Sequence, residues 1–214
     1  MIESIENAIQ LIATGLCSVT ALWNAVRSKE RIWVLLGLFA GIFFLGDLYW
    51  QLYLVFYDET PMFYISEFSW YTSYLFLLLL LVYINVENSQ DWKFRLRPWY
   101  LCIPVFTFGM CAFYMTRGDY LSNIVAALLM TGLIWHACYG LHMTQKQKRV
   151  GESPDHGRML FIVTLVFCAE EYGMWTSSCF WTGDTISNVY FWFDFLLSIT
   201  IVLFLPALRK AVSR

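Results

Sequence analysis

Seven apolar stretches, each close to the length a helix needs to cross a bilayer, leave this chain almost no alternative fold. About 20 residues rising 1.5 Å each cover the hydrocarbon core. By that measure the spans fall at 5–26, 32–57, 62–84, 98–116, 119–143, 158–181 and 186–208. The expected fold class is all-α: a polytopic seven-transmembrane-helix bundle forming one domain over residues 1–214. Charged residues make up only 14% of the chain, where a soluble domain carries about 25%. A water-soluble core of this size could not be coated with so few. The 10 Trp, 13 Tyr and 18 Phe suit lipid contact and interfacial anchoring instead.

The net charge of −2 says little, but its distribution orients the spans. Four clusters fall on one side: Arg27, Lys29 and Arg31; Lys93, Arg95 and Arg97; Lys146, Lys148, Arg149 and Arg158; Arg209, Lys210 and Arg214. These are 13 of the 14 Lys and Arg residues, and only Arg117 lies on the other side. Under the positive-inside rule the basic side is cytoplasmic. The expectation is a multi-pass protein of the cytoplasmic membrane, a bacterial inner membrane, with its N-terminus out and its C-terminus in. Outer segments are acidic: Glu3, Glu6, Asp58, Glu59, Asp119 and Asp184. The first apolar stretch has no basic n-region before it and no small-residue cleavage site after it, so it is read as a retained helix.

With the spans placed, five acids fall well inside them, away from their ends: Asp47, Glu67, Glu170, Glu171 and Asp194. An ionisable group at membrane depth is costly and marks a functional site by default. All five lie from the midplane outward, and no Lys or Arg lies within the spans beyond their end residues. Such acids must be protonated, hydrogen-bonded, wetted from outside or neutralised by a cation. Helical spacing supplies donors: Gln51 one turn from Asp47, Tyr71 and Tyr74 one and two turns from Glu67, and Trp175 on the Glu171 face. Ser66, Ser69 and Ser73 form a hydroxyl stripe, and Ser177, Ser178 and Ser198 lie near the later acids. Glu170 and Glu171 point about 100° apart, so one pocket is not expected to take both. Each acid also has a structural reading, as a wet interfacial or hydrogen-bonded packing group.

Other chemistry finds little support. The six cysteines stand singly in apolar segments, as packing residues do; a Cys111–Cys179 disulfide is a minor alternative. His136 and His142 are six apart and on different helix faces, a poor metal pair, and His136 reads as a packing residue. No metal site, cofactor motif, phosphate loop, Gly-x-Ser-x-Gly elbow or HExxH is present. The basic residues are accounted for by topology, so no nucleic acid is expected as a partner. Span 7 has no lysine for a retinal Schiff base, which argues against an opsin-type photoreceptor.

Residues 46–77 form the most distinctive segment. Gly46-Asp47 late in one span, Trp50, Pro61 in a short loop, then Glu67, Trp70 and Tyr74 follow one another there. The segment resembles the uncharacterised heptahelical membrane modules found ahead of bacterial diguanylate cyclase and related signalling domains. In those modules Asp is usual at the Glu67 position and Tyr at the Trp70 position. The resemblance implies a sensory role; with no fused output domain in this sequence, a cytoplasmic or membrane signalling partner would carry the output. A Gly-Asp in an early helix also resembles the membrane lysoplasmalogenase family, but the histidine-containing parts expected beside it are not evident.

The candidate ligand-binding set is therefore Asp47, Gln51, Glu67, Trp70, Tyr71, Tyr74, Glu170, Glu171, Trp175 and Asp194. The leading expectation is a sensory or small-ligand-binding module, not an enzyme. It would have an outward polar pocket for a small cationic or polyhydroxylated ligand, or a proton. A proton- or cation-coupled transporter and an intramembrane hydrolase are the alternatives.

Overall fold

The computed structural model describes residues 2–57, 63–88, 98–149, 157–183 and 185–212. The expected loop residues Asp58, Glu59, Pro61, Lys93, Arg95, Arg97 and Asp184, with His156 and Arg214, lie outside them. Seven helices follow in order: α1 (Ile2–Ser28), α2 (Arg31–Tyr57), α3 (Phe63–Asn88), α4 (Cys102–Met115), α5 (Tyr120–Arg149), α6 (Arg158–Ser178) and α7 (Val189–Val212). A 3-10 turn, Pro98–Leu101, leads into α4. No strand occurs among the described residues. All seven helices, α4 taken with its leading turn, are long and apolar enough to cross a membrane. The chain is an integral membrane protein.

Boundaries differ from the expected spans where local chemistry intervenes. Span 6 was expected to run to 181, but α6 ends at Ser178. There Cys179 and Phe180 donate their amides three residues back, to Thr176 and Ser177, in a tightening last turn. Span 7 was expected from 186, yet α7 starts at Val189 because Asn188 caps it. The Asn188 Oδ1 accepts the Tyr190 amide at 3.0 Å, and its Nδ2 donates to the Gly183 carbonyl at 2.9 Å. Pro104 sits in the first turn of α4, where its missing N–H costs nothing.

The helices close into a ring in the order α1, α2, α3, α5, α6, α7, and α7 returns to α1. The short α4 stands outside it against α5, and reaches α6 through the Tyr114 hydroxyl, 2.8 Å from the Thr176 hydroxyl. Small residues permit the closest approaches. Gly37 and Gly41 on α2 take the small-xxx-small spacing that lets membrane helices touch; the Ser18 hydroxyl of α1 donates to the Gly37 carbonyl at 3.0 Å. On α5, a Cβ at Gly140 would lie 2.3–2.4 Å from ring atoms of Phe161 on α6.

The distribution of side chains is that of a bilayer protein. Large apolar residues such as Leu16, Val19, Leu52, Phe68, Val105, Leu128 and Leu196 are exposed around the outside of the bundle, while Thr14, Asp47, Ser66, Glu171 and Asp194 are buried within it. In water this arrangement would leave an apolar surface far larger than a monomer tolerates. Hydrocarbon is the solvent it fits.

Five aromatic rings cross the middle of the ring of helices. Phe39 of α2 lies 5.7 Å from Phe167 of α6 and 5.4 Å from Phe204 of α7, and Phe167 and Phe204 are 6.0 Å apart, all edge-on. Tyr74 of α3 meets Phe167 at 5.6 Å and Phe43 at 6.3 Å. All five rings are buried, and the layer packs α2, α3, α6 and α7 against one another.

Candidate functional site

Above the aromatic layer, at the end holding the start of α1 and the α4–α5 and α6–α7 connections, the bundle encloses a cavity of about 470 Å³. Its size is within the usual range of about 300–1,000 Å³ for small-molecule sites. Four of the five expected intramembrane acids line it: Asp47 from α2, Glu67 from α3, Glu171 from α6 and Asp194 from α7. Ring closure brings these helices around one space.

Each acid is held by a donor from a neighbouring helix. Asp47 accepts from the Trp70 indole of α3 at 3.0 Å and from the Thr14 hydroxyl of α1 at 3.3 Å. Gly46 makes the first contact possible, since a Cβ there would come within 2.9 Å of the Trp70 indole nitrogen. Glu67 accepts from the Ser122 hydroxyl of α5 at 2.6 Å and from Tyr71 at 3.3 Å. The Tyr74 hydroxyl donates to Glu171 at 2.5 Å, and the Gln10 amide of α1 donates to Asp194. Polar groups in hydrocarbon need such partners. These bonds also fasten α1 to α2 and α7, and α3 to α2, α5 and α6.

Of the expected set, Trp70, Tyr71, Tyr74 and Trp175 line the cavity beside the four acids. Gln51 and Glu170 do not. Gln51 is half-buried one turn beyond Asp47 on α2, outside the cavity lining, and its Oε1 is buried without a hydrogen-bond partner. Glu170 turns away from the cavity to α7, where the Thr200 hydroxyl donates to it at 3.0 Å. The 100° between neighbouring helix positions thus gives Glu171 to the cavity and Glu170 to the α6–α7 seam. The serine stripe serves packing: Ser66 donates to the Gly46 carbonyl, while Ser69 and Ser73 donate within α3. His136 meets Asn85 of α3, whose amide donates to the His136 carbonyl at 2.9 Å. All six cysteines are free, including Cys111 and Cys179.

Sequence reasoning missed the contribution of α1. Glu6, Asn7 and Gln10 line the cavity, and Thr14 reaches Asp47 from just below them. The signal was present, since Glu6, Gln10, Thr14 and Ser18 recur every fourth residue and so form a polar stripe along one helix face. The sequence counts Glu6 among the acids of the outer segments, whereas the fold leaves it only 6% exposed. Both of its carboxylate oxygens are buried without a hydrogen-bond partner among the described residues, as are Oε2 of Glu171 and Nδ2 of Asn7. Glu3, Asp119 and Arg117 complete the charged lining, so acids outnumber bases seven to one. Ten of the thirty lining residues are aromatic, enough to present ring faces on several sides. No group of three or more His, Cys, Asp or Glu converges on a point that could hold a metal ion among the described residues.

Fold and cavity together define a class: a heptahelical integral membrane protein with an acidic, aromatic-walled cavity at one end of its bundle. No family model, curated protein or solved structure matches the chain.

Tyr74 tests how tightly this network is bound to the fold. Tyr74→Phe leaves both oxygens of the fully buried Glu171 without a donor. The expected cost is about 1–3 kcal/mol, read as a lower midpoint of unfolding in detergent. Little change in the midpoint would show that Glu171 does not depend on Tyr74.

Proposed function

We propose that this protein is a sensory, small-ligand-binding membrane module, whose cavity faces the outside and whose bound state is read by a partner at the cytoplasmic side. The observation that carries this reading is the convergence of Asp47, Glu67, Glu171 and Asp194, from four separate helices, on one cavity of ligand size. Burying four acids costs stability wherever packing is their only role, and apolar residues at these positions would serve packing better. The orientation rests on charge. Alternation of the helices puts Arg27, Arg31, Arg158 and Arg209 at the end opposite the cavity, where the α1–α2 turn meets the ends of α3 and α7. That basic end suits the cytoplasm. The resemblance of residues 46–77 to bacterial signalling modules agrees with a sensory role.

A transporter using the same acids is the second reading. The buried, edge-packed rings of Phe39, Phe167 and Phe204 between α2, α6 and α7 favour binding without passage. A thermal-shift screen of small cationic and polyhydroxylated compounds on the purified protein separates the readings. A ligand is expected to raise the melting temperature by mass action, with the rise reduced in Asp47→Asn and Glu67→Gln. Flux in proteoliposomes that disappears in Asp47→Asn would replace this reading with transport. No shift with any compound would leave the acids as structural groups.

A further inference from the structure

We infer that the cavity selects a primary ammonium group carried on an apolar or aromatic body, and that Glu6 of α1 is its principal anchor. This deepens, and rests on, the ligand-binding reading above. The carrying observation is Glu6 itself, 94% buried on the cavity wall, with neither carboxylate oxygen bonded to a described protein group. The other lining acids buried within the spans each receive a hydroxyl, indole or amide donor from a neighbouring helix. Glu6 receives none, and Glu171 keeps one oxygen unmatched.

Two buried, unpartnered oxygens on Glu6 and one on Glu171, along an acidic wall, ask for a ligand that brings both positive charge and several hydrogens. A primary ammonium supplies three N–H donors and one charge. A polyol supplies donors but leaves the seven-to-one excess of acids uncompensated. A quaternary ammonium supplies charge and no donor. A metal ion would need converging ligands, which the described residues do not provide. The rest of the lining suits an organic cation, because Trp50, Trp70, Trp175 and Tyr190 offer π faces that attract ammonium groups and apolar surface for the body that carries one.

The probes are 2-phenylethylamine, tryptamine and putrescine, with 2-phenylethanol as the uncharged control and N,N,N-trimethyl-2-phenylethylammonium as the quaternary control. Binding is measured by titration calorimetry on the full chain in lipid nanodiscs. At least one primary amine is expected to bind, with 2-phenylethanol and the quaternary analogue at least about tenfold weaker than 2-phenylethylamine. Glu6→Gln is expected to weaken the amine by about tenfold or more while leaving any binding of the alcohol unchanged. Glu171→Gln, made in parallel, is expected to weaken the amine less, since only one of its oxygens lacks a partner. Circular dichroism and unfolding midpoints confirm that each variant is folded; if Glu6→Gln fails to fold, Glu6→Asp, which withdraws the carboxylate by one methylene, takes its place with the same expectation. Equal binding of the quaternary analogue would overturn the N–H donors, and unchanged amine binding in the folded Glu6 variant would overturn the anchor. Failure of all three amines, while a neutral compound binds in an Asp47-dependent way, would sink the amine class and keep the ligand-binding reading. Failure of every compound would sink both.

Discussion

Phe167→Ala is expected to be the most damaging apolar truncation in the bundle, lowering unfolding stability by about 3 kcal/mol. Phe167 is fully buried, and its ring meets those of Phe39, Tyr74 and Phe204 on three other helices. Truncation therefore opens one void facing α2, α3 and α7 together. The figure is the low end of the range for Phe→Ala in soluble cores, for a physical reason. Unfolded membrane helices remain in hydrocarbon, so transfer from water contributes little and the lost dispersion contacts dominate. Phe68→Ala is the control: Phe68 is 74% exposed toward lipid, and its loss is expected within about 0.5 kcal/mol of neutral. Denaturant titration of the three proteins checks this. Equal stability of Phe167→Ala and Phe68→Ala would show that no such layer holds the helices together.

Gly140→Ala is the second large effect, and it acts by overpacking. The new Cβ would stand 2.3–2.4 Å from three atoms of the Phe161 ring, and Phe161 is itself buried. Either the ring leaves its rotamer or α5 and α6 separate, at a cost of about 1–3 kcal/mol. Separation would also disturb the cavity, because α5 carries Ser122 and α6 carries Glu171. Removing the obstacle should restore the fit, so Gly140→Ala combined with Phe161→Leu is expected to be more stable than the sum of the two single losses predicts. A double-mutant cycle on unfolding midpoints measures that coupling. Strict additivity would mean that the two helices do not meet at this pair.

Much of the fold could be read from the sequence because a bilayer imposes a simple rule. Every backbone polar group in hydrocarbon must be bonded within its own helix, so seven apolar stretches of sufficient length become seven helices whatever their neighbours. Asp47, Glu67, Glu171 and Asp194 stood out for the same reason: an acid inside such a stretch violates the solvent around it. Glu6 did not, since a residue one turn from a helix end can be wet or buried, and only the helices beside α1 decide which. Gln51 and Glu170 looked like members of the site by sequence spacing alone. Spacing fixes the angle between residues on one helix but not how far along it a cavity extends, nor the direction of the helix as a whole.

That direction is a tertiary quantity. The sequence by itself determined the number and placement of the spans, the acids at membrane depth and the asymmetry of basic charge, each a property of one segment against its solvent. Only the tertiary structure decided the ring order that sets α4 aside, the facing of Glu171 rather than Glu170 into the cavity, and the burial of Glu6 on its wall. Those outcomes depend on contacts such as Gly37 with α1, Gly46 with Trp70 and Gly140 with Phe161. Such close fits act between segments far apart in the chain, and no single helix contains the information to specify them.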